Sequence, residues 1–176
     1  MFSDPEKIIT QFSIGKGTHV ADIGAGSGAY ALAAAKMAGE TGRVYAVDVQ
    51  KDLLARLKKE AEGEHLKNIE IVWADIEEAG GTKLRERSMD VVIAANVFFQ
   101  LPDKDAACRE IRRILADNGR ALLVDWAASY GAIGPRPDAV FTRETAKKLF
   151  EKQGFALDRE IVSAGAHHYG LVFRKA

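Results

Sequence analysis

Cysteine, net charge and long apolar runs are all scarce in this chain, and each shortage closes off a class of protein. The single cysteine, Cys108, leaves no internal disulfide and no thiolate metal cluster. Lysine and arginine number 25 against 25 aspartates and glutamates, so no overall field draws in nucleic acid or an anionic membrane. No apolar run approaches the ~20 residues of a membrane span. The opening Met1-Phe2-Ser3-Asp4-Pro5 does not read as a signal peptide, which makes the cytoplasm the expected compartment. Repeats and low-complexity tracts are lacking too. The 176 residues therefore read as a single domain, 1–176, large enough to bury roughly two thirds of its unfolded surface.

What is present is concentrated in one stretch. Thr18, Val20, Ala21 and Ile23 form an apolar, β-branched run that ends in Gly24, Gly26 and Gly28, and an alanine-rich helical pattern follows from Ala29 to Met37. The reading is strand, tight turn, helix. Glycine-rich turns are common wherever a backbone needs positive φ, so the turn alone decides little. Its neighbours add more. Asp48 ends a second apolar run about twenty residues past Gly28, where an acid can accept hydrogen bonds from both hydroxyls of a ribose. Asp75 follows a third run, Ile69 to Trp73, and is placed to meet a nucleoside base. Three strands thus finish in acids at the sheet edge where open α/β folds bind ligands.

The position of one acid separates two cofactors. Dinucleotide binders follow G-x-G-x-x-G, whereas this chain reads Asp22-x-Gly24-x-Gly26-x-Gly28. A carboxylate just before the glycines repels a pyrophosphate and favours a ligand bearing an ammonium and a sulfonium. S-adenosylmethionine (SAM) is such a ligand, and its own carboxylate suits the helix N-terminus. On these residues the chain resembles the class I SAM-dependent methyltransferases, whose first motif is [D/E]-x-G-x-G-x-G.

Hydrophobic patterning extends the reading along the chain. A first helix capped by Ser3 or Asp4 runs to about Phe12, and either packs on an edge or covers the ligand. Strands are expected at 43–48, 68–73, 89–95 and 120–126. Helices are expected from about Lys51 to Ala61, stopped by Gly63, and from Pro102 or Asp103 to a stop at Asn118-Gly119. Residues 77–87 are too polar for more than a short helix. Residues 127–141, with two glycines and two prolines, form a long loop and a lid candidate over the ligand edge. Thr142 caps a last helix ending at Gly154, and the tail folds as two antiparallel strands, 155–162 and 167–174. The resemblance implies an α/β fold: a Rossmann-like three-layer sandwich with a seven-stranded, mostly parallel sheet in the order 3-2-1-4-5-7-6 and strand seven antiparallel.

By the same resemblance Gly24, Ala25, Gly26 and Gly28 meet the methionine part of SAM, and Asp22 points toward its ammonium, directly or through water. Asp48 holds the ribose, Val49 covers the adenine, Asp75 and Ile76 bracket its amino edge, and Asn96 and Val97 lie beside the sulfonium. Catalytic candidates are Gln100, Asp125 and His168, with Trp126, Tyr130, Arg136, His167 and Tyr169 also near the mouth. For each histidine a hydrogen-bonded strand residue is the plainer role, and for Arg136 an exposed loop side chain.

The segment Asn96-Val97-Phe98-Phe99 lacks the prolines of the [N/D]-P-P-[F/Y] signature, which argues against amino-nitrogen targets. It is more similar to the ubiquinone and menaquinone biosynthesis branch, although that branch often carries a His-His pair where Phe99-Gln100 stands here. Metalloid methylation, which relies on several cysteines, is not expected. The implied acceptor is a small, apolar or aromatic metabolite, with no nucleic acid, membrane or metal partner and a homodimer compatible with the open pocket. A nicotinamide-dependent oxidoreductase and a non-catalytic SAM-binding subunit stand as alternatives.

Overall fold

A computed structural model of the chain describes residues 4–12, 14–131 and 133–176. Strands β1 (His19–Ile23), β2 (Arg43–Asp48), β3 (Ile69–Trp73), β4 (Met89–Ala95), β5 (Leu115–Trp126), β6 (Phe155–Glu160) and β7 (His168–Lys175) form one sheet in the order β3-β2-β1-β4-β5-β7-β6. Only β7 runs against the rest, pairing antiparallel with both β5 and β6. Helices α1 (Pro5–Phe12), α2 (Ala29–Ala38) and α3 (Lys51–Gly63) cover one face, and α4 (Lys104–Ile114) and α5 (Arg143–Lys152) cover the other. The expected topology is the one observed.

The central strands read as apolar runs because both faces are covered. Alternation along β4 sends Val91 and Ile93 toward α1 and α2, and Val92 and Ala94 toward α4 and α5. Ala31, Ala34, Ala35 and Ala38 are fully or almost fully buried, so α2 presents a thin surface to its neighbours, and Ile8, Ile9 and Phe12 of α1 join the same cluster. Across the sheet a stack of phenylalanines fills the space under α5: Phe150 lies 4.3 Å from Phe173 and 5.5 Å from Phe98 between ring centroids.

Boundaries follow local chemistry. The Asp4 carboxylate accepts the Lys7 N–H at 3.2 Å and caps α1, while Ser3, the other expected cap, lies outside the described residues. α3 ends at Gly63, as expected, and closes in a Schellman turn in which Leu66 N–H donates to the Ala61 carbonyl and His65, not the glycine, takes the left-handed φ of 59°. Asn118-Gly119 does not stop α4. That helix ends at Ile114, and β5 begins at once, with Leu115 opposite Met89 and Arg120 opposite Val91, so residues 116–119 form a bulge. Gly119 is needed there because a Cβ would meet the Leu115 side chain at 2.7 Å.

Residues 77–87 form no helix. They are held on α4 by Glu110, whose buried carboxylate accepts from the Gly80 and Thr82 N–H groups, the Thr82 hydroxyl and Arg113.

Candidate active site

The carboxyl ends of β1, β2, β3 and β4 share one edge, and a cleft of about 720 Å³ opens there. Its floor is the turn after β1. The Gly24 and Ala25 N–H groups both donate to the Val47 carbonyl, at 2.8 and 3.0 Å, which ties the turn to β2. Gly24 has a φ of 66°, and a Cβ on it would meet Val97 Cγ2 at 2.5 Å, so glycine here lets the end of β4 close against the turn. Gly28 has a φ of 86° and precedes α2; a Cβ would strike Leu57 Cδ1 at 2.1 Å. Gly24, Ala25 and Gly26 line the cleft, whereas Gly28 acts behind it by seating α2 on α3.

Asp48, buried at the end of β2, organises the next wall. One carboxylate oxygen accepts the Gly26 N–H and the other the Gln50 N–H, each at 2.8 Å. Each oxygen keeps a lone pair for a ligand hydroxyl. Asp75 accepts the Glu77 N–H at 2.8 Å and lines the cleft beside Ile76. Val49 sits exposed on the rim, and its carbonyl accepts the Trp73 indole N–H at 3.0 Å, so the exposed Trp73 clips that corner in place. Asn96, with a φ of 57°, turns the chain out of β4 next to Val97; its carboxamide oxygen is buried with no hydrogen-bond partner.

Asp22 is placed differently from its neighbours. It is buried behind the glycine turn and does not line the cleft. The Ala31 N–H in the first turn of α2 lies near its carboxyl, while Oδ2 has no hydrogen-bond partner. Burial pushes its pKa up to about 8, against the Ala31 hydrogen bond, and the nearby Asp48 charge adds to the rise.

The catalytic candidates separate. Gln100 lines the cleft, with its amide donating to the Asn96 carbonyl at 2.8 Å. Asp125 is fully buried on the α4 and α5 side, where it accepts the Phe99 and Trp126 N–H groups at 3.2 and 2.8 Å. Its pKa is pushed up to about 7 by burial, against those hydrogen bonds. It anchors the 3-10 turn Phe98–Gln100 and does not line the cleft. His168 packs against Trp126 with ring centroids 4.4 Å apart and His167 against Tyr130 at 4.0 Å, both pairs tilted. Arg136 pairs with Asp138 in the open, and the Tyr169 hydroxyl donates to the Phe141 carbonyl.

Among the described residues none from the 127–141 loop lines the cleft, so the expected lid is not part of its wall; Gly134 rests against the Trp126 ring instead. Pro5, Tyr30, Leu101 and Pro102 lie around the opening, and sequence reading did not single them out for the site. Tyr30 was the most legible of these, since it falls in the first helical turn after the glycines.

The cleft fits an adenosyl cation. Among its described lining residues Asp48, Asp75 and Glu77 are acidic and none is Lys, Arg or His, so a pyrophosphate finds no counter-charge there. A family model described as a methyltransferase domain matches residues 14–162. The chain belongs to that methyltransferase family. Its cofactor is SAM, as the family and its structural neighbours imply.

The chain is 32% identical over 113 residues to the arsenite methyltransferase of Aquipseudomonas alcaligenes, covering 62% of this chain and 33% of that protein. It is 31% identical over 119 residues to the ubiquinone/menaquinone biosynthesis C-methyltransferase UbiE of Paraburkholderia xenovorans, covering 68% and 47%. It thus spans less than half the length of these two relatives. A crystal structure of a SAM dependent methyltransferase from Aquifex aeolicus superposes with a TM-score of 0.87 at 26% identity, covering 98% of this chain and 89% of that one.

Proposed function

We propose that this chain transfers the methyl group of SAM to a small, apolar or aromatic metabolite, acting as one domain over residues 1–176 in the cytoplasm. The observation that carries the reading is the acidic cleft, above all the Asp48 carboxylate fixed by two backbone donors with lone pairs to spare. In it Asp48 holds the ribose hydroxyls, Val49 and Ile76 flank the adenine, and Asp75 receives its amino edge. Gly24, Ala25 and Gly26 approach the methionine part, Asp22 lies behind them on the side of its ammonium, and Asn96 and Val97 border the reacting end. Bound SAM supplies an electrophilic methyl group on a sulfonium.

The protein's share is to hold an acceptor in line with that methyl and to exclude water. Tyr30, Leu101 and Pro102 provide apolar walls at the opening. Gln100, tied to Asn96, orients the acceptor and does not remove a proton. Asp125 acts through the turn it anchors. The lone buried Cys108, whose thiol pKa burial raises, and the lack of any metal-binding cluster among the described residues favour an organic acceptor over a metalloid. No helix among the described residues is long and apolar enough to cross a membrane.

Calorimetry tests the reading. SAM and S-adenosylhomocysteine bind and NAD does not, and purified chain with labelled SAM labels a component of a metabolite extract. Preference for NAD overturns the assignment; SAM binding without any transfer leaves a binding subunit.

A further inference from the structure

Positive charge gathers at the sheet edge opposite the cleft. A second hollow, of about 370 Å³, opens at the amino ends of β4 and β5, lined by Arg87, Arg109, Arg112, Arg113 and Lys175 against a single acid among the described lining residues, Glu86. In a chain of balanced charge this is a strong local excess.

Three elements bring these cations together. Spacings of three and four residues put Arg109, Arg112 and Arg113 on one side of α4. The turn before β4 adds Arg87, whose N–H donates to the Arg113 carbonyl at 2.9 Å and whose φ of 52° is uncommon for so large a side chain. β7 adds Lys175, which donates to the Leu115 carbonyl. The dipole of α4 favours Arg112 and Arg113 in its last turn but does not account for Arg87, Arg109 and Lys175 converging on the same space. The acids around them are already engaged: Glu110 by Arg113, Asp117 by Arg87 and Lys175, and Asp105 by Lys152 and Gln153. Arg109 is left with no ion-pair partner among the described residues, and Arg112 with one long hydrogen bond, from Nε to the Gly154 carbonyl at 3.4 Å. Burial lowers the Lys175 pKa, Asp117 opposes that, and the Arg87 and Arg112 charges add to the fall.

We propose that this hollow is a binding site for a phosphate-bearing small molecule, whose phosphate oxygens are taken by the guanidinium groups of Arg109 and Arg112 while Arg87 and Lys175 supply further positive charge. Guanidinium forks meet phosphate oxygens in pairs. At ~30 Å³ per water the space equals about a dozen waters, which leaves room for two linked phosphates. Cations crowded around one compact space suit several charges on one group, whereas an acidic peptide spreads its charges along ~3.4 Å per residue. The hollow and Asp48 lie at opposite ends of the strands, so its ligand is independent of the methyltransferase reading.

Calorimetric titration of the full chain with inorganic pyrophosphate tests this, at about 0.1 M salt, where charges more than ~10 Å apart are largely screened. Pyrophosphate binds with a Kd below about 1 mM. The double variant Arg109→Gln/Arg112→Gln, at two exposed positions, weakens it at least ~10-fold. Arg56→Gln/Lys58→Gln removes the same charge from the exposed side of α3 and changes the affinity by less than about 2-fold, and Glu86→Gln tightens binding about 3-fold. SAM affinity stays within about 2-fold in every variant, since the two sites are far apart. No binding of pyrophosphate up to about 10 mM, an equal loss in the two double variants, or a preference for poly-glutamate over pyrophosphate overturns the proposal, the last in favour of an acidic peptide.

Discussion

The two halves of the sheet edge solve opposite problems. At the ends of β1 to β3 the polar groups facing the cleft are tied to backbone donors: Asp48 by Gly26 and Gln50, Asp75 by Glu77. At the ends of β5 and β7 the imidazole nitrogens of His168 have no hydrogen-bond partner among the described residues. The difference teaches which half is preformed. The carboxylates that line the cleft are already oriented, whereas the imidazole at the ends of β5 and β7 keeps its polar capacity unspent. Asp22 and Asn96, each with an orphaned side-chain oxygen, lie at the border between the two.

The comparison breaks most visibly in the packing that supports both halves. Phe150 stacks on Phe173 and fills the core under β5 and β7, so Phe150→Ala is expected to cost about 3–5 kcal/mol. Chemical denaturation measures it, and a loss under about 1 kcal/mol would mean that the face repacks freely. Asp48→Ala should strip the cofactor half of its organising group, weakening SAM and S-adenosylhomocysteine alike by about 100-fold, or ~3 kcal/mol. An unchanged affinity by calorimetry would remove Asp48 from the site.

Asp22 sharpens the contrast through pH. Its folded pKa of about 8 lies above the ordinary ~3.9 of an unfolded aspartate. Between those values the folded chain holds a proton that the unfolded chain has released, so cofactor-free stability falls as pH rises through that window. Asp125, raised to about 7, contributes with the same sign over a narrower range. Asp22→Asn is expected to gain about 1–3 kcal/mol near pH 8 and little near pH 4. Melts at the two pH values measure it, and an equal effect at both contradicts the assignment. The smallest effect belongs to the clip on the rim: Trp73→Phe loses the hydrogen bond to the Val49 carbonyl and should weaken SAM about 5-fold, or ~1 kcal/mol, without altering the melting temperature by more than a few degrees.

Periodicity and glycine placement made the fold legible, because a parallel sheet covered on both faces leaves continuous apolar runs and short turns. The expected stop at Asn118-Gly119 fails for a local reason. Gly119 serves a close approach to Leu115 inside a bulge, and after Gly63 it is His65 that takes the left-handed turn. In the cleft Asp48, Asp75 and the glycine turn were legible because strand ends fix where an acid must stand. That Gly28 serves the α2–α3 contact, and that Asp22 is buried behind the turn near the Ala31 N–H, was not. Both depend on which neighbour lies across the gap, and Leu57 and Ala31 are known as neighbours only once the helices are docked. The 127–141 loop could be seen as long but not placed, since no periodicity directs it.

The most direct test is calorimetric titration of the purified chain with SAM and, separately, with NAD. Micromolar binding of SAM, at least 100-fold tighter than NAD and lost in Asp48→Ala, is the expected result. Equal or tighter binding of NAD would contradict a cleft built for a cationic nucleoside.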